Sequence, residues 1–78
     1  MLVAFQYNGK MRKGPVLESG HIWVKLVNVV VQTEGVKVKP ERPYSTFNLS
    51  RIEGDVVIYN DTKPGPKVSV SDFADMLG

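Results

Sequence analysis

Alternation of apolar and polar positions runs through most of the chain and predicts strands over most of its length. Leu2–Tyr7 places Val3, Phe5 and Tyr7 on one face. Asn8-Gly9 follows, a pair whose two residues both accept positive φ, which predicts a type I′ hairpin turn. Lys10–Lys13 then returns antiparallel. Gly14-Pro15 interrupts that strand, because proline brings no N–H to the ladder. Val16-Leu17-Glu18 resumes beyond a bend, and Ser19-Gly20 is a second turn.

His21–Val31 is the longest β-rich run. Ile22, Val24, Leu26 and Val30 share one parity; Trp23, Val27, Val29 and Val31 share the other. Two readings fit. Either a bulge or bend near Asn28 switches the inward parity after Leu26, or the strand is covered on both faces. Glu34-Gly35 marks a turn, and Val36–Lys39 is a short alternating segment. Pro40 and Pro43 bracket Glu41-Arg42 and make that piece an edge or loop. Residues 44–49 alternate again, with Tyr44, Thr46 and Asn48 opposite Ser45, Phe47 and Leu49. Glu53-Gly54 reads as the next turn and Asp55–Tyr59 as a strand carrying Val56 and Ile58. Residues 60–67 read as a linker, with Gly65 between Pro64 and Pro66. Residues 69–77 form the one helix candidate. Ser69 with Asp72 fits an acidic capping box, Val68 and Phe73 a hydrophobic staple, and Phe73, Met76 and Leu77 one apolar face.

Composition narrows this further. Seventy-eight residues form a single domain spanning 1–78, and the absence of cysteine leaves an apolar core as the source of stability. Valine is over-used, while alanine occurs only as Ala4 and Ala74, a balance that favours strands. The predicted architecture is mostly β. It is a small, strongly bent antiparallel sheet or partly open barrel of five or six strands over residues 2–59, with a short C-terminal helix. No apolar run reaches membrane-spanning length and no basic leader precedes the first strand, so the expectation is a cytoplasmic protein without membrane contact.

The residues offer little for catalysis. His21 is the one histidine, and at a strand start its ordinary role is that of a surface or half-buried side chain. Without cysteine or a second histidine, a zinc site is not expected. No nucleophile elbow or phosphate loop is present, and the carboxylates are scattered. The expectation is a non-enzymatic protein without cofactors.

Binding is the better class. The net charge of +2 permits an anionic partner without demanding one. Lys10, Arg12 and Lys13 cluster after the first turn, either as a solvated hairpin arm or as a phosphate-contacting edge. Arg51, directly before Ile52, is either an ion-pair partner of Glu53 or Asp55 or a binding residue. Tyr7, Trp23 and Tyr44 are the aromatics suited to partial exposure and base stacking, against an ordinary role at the rim of the core. The candidate site is therefore Arg12, Lys13 and Arg51 for phosphate, with Tyr7, Tyr44 and Trp23 for stacking. The competing reading is a protein-interaction or structural module working through a strand edge or as a homo-oligomer.

Several segments line up in order with one family. They are Phe5–Gly9, then Arg12 and Pro15-Val16-Leu17, then Gly20–Leu26 with Trp23, then Tyr44–Ile52 ending in Phe47-Asn48-Leu49-Ser50-Arg51-Ile52. The series resembles the WYL domain, over roughly residues 2–59. The resemblance implies a partly open Sm-like barrel that senses nucleic acid or an anionic ligand in bacterial or phage-related transcription regulation. It places Trp23, Arg12 and Arg51 at the family's tryptophan and arginine positions. Val24 and Lys25 depart from the name-giving triplet, and Ser45, Asn48 and Ser50 stand where the family commonly carries charge. No helix–turn–helix segment precedes the domain, so the resemblance implies a stand-alone accessory module of the kind found in phages.

Overall fold

The computed structural model describes residues 1–33, 36–38 and 43–78. Asn8 and Gly9 have φ of 52° and 74°, as a type I′ turn requires, and close a hairpin between β1 (Leu2–Tyr7) and β2 (Lys10–Ser19). The Gly9 amide donates to Glu53 Oε1 (3.1 Å), which ties the turn to the far side of β1.

β2 is one strand through Gly14-Pro15, because its partner changes there. Along one edge it pairs with β1 from Tyr7–Lys10 to Leu2–Pro15. Along the other it pairs first with β4 (Val30–Thr33) at Met11–Lys13, then with β3 (Trp23–Val27) at Val16–Ser19. A two-residue hairpin makes Tyr7–Lys10 a hydrogen-bonded pair, and by alternation Phe5–Arg12 and Val3–Gly14 as well. The position of the missing donor of Pro15 therefore faces the gap between β4 and β3, where no ladder bond is lost. The chain bends at this point. Gly14 allows it, since a Cβ there would sit 2.8 Å from the Val27 carbonyl oxygen.

The two readings of residues 21–31 resolve in favour of the parity switch. Val24 and Leu26 are fully buried from β3, Asn28 takes a left-handed φ of 49°, and Val29 and Val31 are then the buried pair. The Asn28 amide donates to the Pro43 carbonyl (2.8 Å), tying the bend to the residue that precedes the strand Tyr44–Asn48. A β-branched residue pays about 1–2 kcal/mol in this conformation. Asn28→Val is expected to lower the melting temperature by roughly 5–15 °C, and Asn28→Gly to leave it near wild type. Thermal denaturation followed by circular dichroism reads both.

Four further strands complete the sheet. β5 (Val36–Val38) pairs with β4; β6 (Tyr44–Asn48) pairs, among the described residues, with β3 alone; β7 (Glu53–Asn60) pairs with β1; β8 (Lys63–Val68) pairs with β7. All pairings are antiparallel. The order β5-β4-β2-β1-β7-β8, with β3 and β6 branching from β2, leaves the sheet bent but not closed. The described residues thus contain eight strands where the sequence pattern gave five or six.

Two of the extra features correct the sequence reading. Glu53-Gly54 is not a turn but a bulge inside β7: Gly54 has φ 75°, and the register with β1 shifts between Ala4–Val57 and Gln6–Glu53. Residues 60–67 are not a linker but a tight turn, with Asp61 at φ 57°, followed by β8. The prolines are accommodated because β8 is an edge strand, bonded on one side only among the described residues. The Glu34-Gly35 turn and the Glu41-Arg42 edge or loop lie outside the described residues.

The core packs inside the bend and joins Phe5, Val24, Leu26, Phe47, Leu49, Ile52 and Val56 to Phe73 of the helix α1 (Val70–Leu77). Ser69 caps α1, its hydroxyl accepting from the Asp72 amide (3.1 Å). Val68 and Phe73 both pack into the core, as a staple does. The buried face is Val70, Phe73, Ala74 and Leu77, whereas Met76 points outward at 49% exposure. The helix lies against β7 and the 3-10 turn Leu49–Arg51.

Candidate nucleic-acid interface

β3 and β6 run antiparallel with Val24 opposite Phe47, and these two residues point into the core. Strand alternation turns the intervening residues outward. Trp23 lies opposite Asn48, Lys25 opposite Thr46 and Val27 opposite Tyr44. One solvent-facing surface therefore carries an indole, an ammonium group, a phenol and two hydrogen-bonding side chains. Tyr44 is 54% exposed and Ile22, just before β3, is 63% exposed. A shallow groove of about 560 Å³ runs over Tyr7, Glu18, Ile22, Trp23, Lys25, Thr46 and Asn48.

Lys25 is held at the centre of this face. Its Nζ lies 3.0 Å from Glu18 Oε1 and 5.0 Å from the Tyr44 ring centroid. The Lys25–Glu18 contact is the one ion pair among the described residues. Trp23 is held from behind by the turn at Gly20, whose amide donates to the Trp23 carbonyl (2.9 Å). A Cβ on Gly20 would collide with the indole ring. Gly20→Ala is expected to displace the ring without unfolding the sheet. Near-ultraviolet circular dichroism reads this directly, because Trp23 is the only tryptophan.

Tyr7 closes one end of the groove from the core side. Its ring meets Phe47 edge-on (5.0 Å, 76°) and Phe5 (6.4 Å, 63°), and its hydroxyl accepts from the Asn48 amide (3.4 Å). Arg12 packs behind it, with the guanidinium carbon 5.7 Å from both the Tyr7 and Phe47 ring centroids. Arg12 Nη2 donates to the Tyr7 carbonyl (3.2 Å), while Nε is buried with no acceptor among the described residues. Lys10 is the cross-strand neighbour of Tyr7 and is exposed at the same end.

The six residues expected from the sequence thus separate into groups. Tyr7, Trp23 and Tyr44 border the β3–β6 face, with Arg12 behind Tyr7. Lys13 stands on the opposite face of the sheet, its Nζ 4.1 Å from the Tyr59 ring centroid. Arg51 is exposed at the end of the 3-10 turn and forms no ion pair with Glu53 or Asp55. Arg12 and Lys13 are adjacent in one strand, so they cannot share a face. Lys25, Thr46 and Asn48 enter the site instead. The spacing Trp23-x-Lys25 and the alternation of Tyr44, Thr46 and Asn48 signal them once the two strands are put in register. His21 is exposed beside the 3-10 turn.

No helix among the described residues is long and apolar enough to cross a membrane, and no cluster of metal-ligating side chains occurs among them. Comparison with family models, with curated proteins and with solved structures finds no match.

Proposed function

We propose that the protein is a non-enzymatic binding module that holds a short single-stranded nucleic-acid segment across the β3–β6 face. The observation that carries this is the placement of Trp23 and Tyr44 at the two ends of one exposed strand pair, with Lys25 between them. From Trp23 to the position of Tyr44 is about 13 Å along the strand, which suits two bases splayed apart rather than stacked on each other. Aromatic platforms of this kind contribute about 1–3 kcal/mol per base and tolerate any sequence. Thr46 and Asn48 offer donors and acceptors between the rings, while Lys10 and Lys25 supply charge for the backbone.

Glu18 opposes a polyanion, because it neutralises Lys25. Glu18→Gln is expected to tighten binding about threefold at low salt, with the gain vanishing at high salt. The reading itself is tested by fluorescence anisotropy of a labelled single-stranded oligonucleotide at two salt concentrations. Binding at low salt that weakens as salt rises supports it. Absence of binding at low salt removes it.

The resemblance to the WYL domain extends this reading to biology. Under it, the module is a cytoplasmic accessory of bacterial or phage transcription regulation that modulates a partner. Trp23 then lies at the groove with Arg12 behind Tyr7, while Arg51 extends the basic character toward the 3-10 turn. A second reading is a protein-interaction or structural module acting through a strand edge or as a homo-oligomer, favoured by the outer edge of β6, which has no partner strand among the described residues, with Tyr44 exposed on it. Size-exclusion chromatography with light scattering separates the two, since a stable oligomer without nucleic-acid affinity favours the second.

A further inference from the structure

The opposite face of the sheet carries a separate trough. One row of cross-strand neighbours runs over four strands as Val30–Lys13–Ala4–Val57. The row beside it is Pro15–Leu2–Tyr59. Strand alternation puts all of these on the side away from the main core cluster, where the surrounding side chains leave Ala4 only 3% exposed. Ala4 is the short residue in the middle. It leaves a trough of about 400 Å³ whose walls come from Val30 on β4 and from Val57 and Tyr59 on β7. Its size falls near the lower end of the roughly 300–1,000 Å³ range of small-molecule sites.

Lys13 decides what such a trough would hold. It is the one charged residue of the lining, to which Asn28 and Gln32 add polar groups on the β4 side, and its ammonium group lies over the Tyr59 ring at 4.1 Å. It has no carboxylate partner among the described residues. An apolar floor with a fixed, unpaired cation matches a ligand with an apolar body and one anionic end. A second copy of the chain fits less well. Two-fold packing centred on this row would set Lys13 against Lys13, a like-charge contact that opposes association.

We propose that this trough binds a small amphipathic monocarboxylate, with its hydrocarbon body along Leu2, Ala4, Val30 and Val57 and its carboxylate on Lys13. Octanoate and the neutral octanol are the probes, followed by amide NMR titration of the whole protein. Octanoate is expected to give saturable shifts centred on Ala4, Lys13 and Val57, and to bind about tenfold more tightly than octanol. Lys13→Met is expected to abolish that preference while leaving octanol binding in place. Should the variant fail to fold, the octanoate-to-octanol ratio in the wild-type protein still decides the matter. Absence of saturable shifts, shifts centred elsewhere, or equal affinity for the two probes would overturn the proposal. So would a dilution-dependent dimer, seen by light scattering, that shields the same amides.

Discussion

Phe5→Ala is expected to lower stability by about 3–5 kcal/mol, at the top of the range for a single core truncation. Phe5 is 1% exposed and stands where three parts of the fold meet. It meets Phe47 of β6 edge-on at 5.1 Å and 82°, and Tyr7 of its own strand at 6.4 Å. Aromatic pairs of this geometry add about 0.5–1.5 kcal/mol beyond burial. The cavity cannot collapse easily, because β1 is fixed on both edges by β2 and β7. A domain of 78 residues has a total stability on the order of 4–12 kcal/mol. The variant is therefore expected to melt about 15 °C or more below wild type, or to be unfolded at ambient temperature. Urea denaturation followed by circular dichroism gives the number. A loss below about 1 kcal/mol would mean that Phe5 is not enclosed as described.

Trp23→Ala is expected to weaken single-stranded nucleic-acid binding by about 5- to 150-fold, the equivalent of one lost stacking platform of about 1–3 kcal/mol. The fold is expected to survive, because the indole stands on the outer side of β3 while Val24 and Leu26 hold the strand in the core. Tyr44→Ala is expected to behave similarly with a smaller loss, since its ring is smaller and more exposed. The combination with Trp23→Ala should leave only salt-sensitive residual binding through lysine. Anisotropy titrations of the three variants at one low salt concentration compare them directly. If Trp23→Ala binds as wild type does, the β3–β6 face is not the interface.

The fold was legible where a local rule had one solution. Asn8-Gly9 admits a type I′ turn and little else. The parity of Val24 and Leu26 against Val29 and Val31 allowed either a break near Asn28 or a strand covered on both faces, and the left-handed φ of Asn28 decides for the break. Ser69 and Phe73 mark the helix cap and its anchor because the apolar pattern changes period there. Legibility failed where tertiary context overrules the local rule. Pro64 and Pro66 argue against a strand, yet an edge strand needs only one bonded side, and nothing local says that 63–68 lies at an edge. Gly54 signals a turn, yet opposite β1 the same positive φ makes a bulge. Met76 fits the helical spacing, but the position of β7 turns the stripe onto Val70, Phe73, Ala74 and Leu77 instead.

Only part of the grouping of the candidate residues was legible in the sequence. Exposed aromatics were recognisable from alternation, and Tyr7, Trp23 and Tyr44 do converge on one region. The basic residues were grouped by proximity in sequence, which is the wrong measure within a strand. Arg12 and Lys13 alternate across the sheet, so one packs behind Tyr7 and the other over Tyr59. Lys25 becomes visible as a site residue only when β3 is paired with β6, which sets it between the two rings. That pairing joins segments far apart in the chain and is fixed by the shared core contacts of Val24 and Phe47.

The chain contains one tryptophan, and it stands at one end of the proposed interface. Its intrinsic fluorescence during titration with an unlabelled single-stranded oligonucleotide is therefore the most direct measurement. Saturable quenching that weakens as salt rises is the predicted result. Oligonucleotide binding that leaves Trp23 fluorescence unchanged, or no binding at low salt, would contradict it.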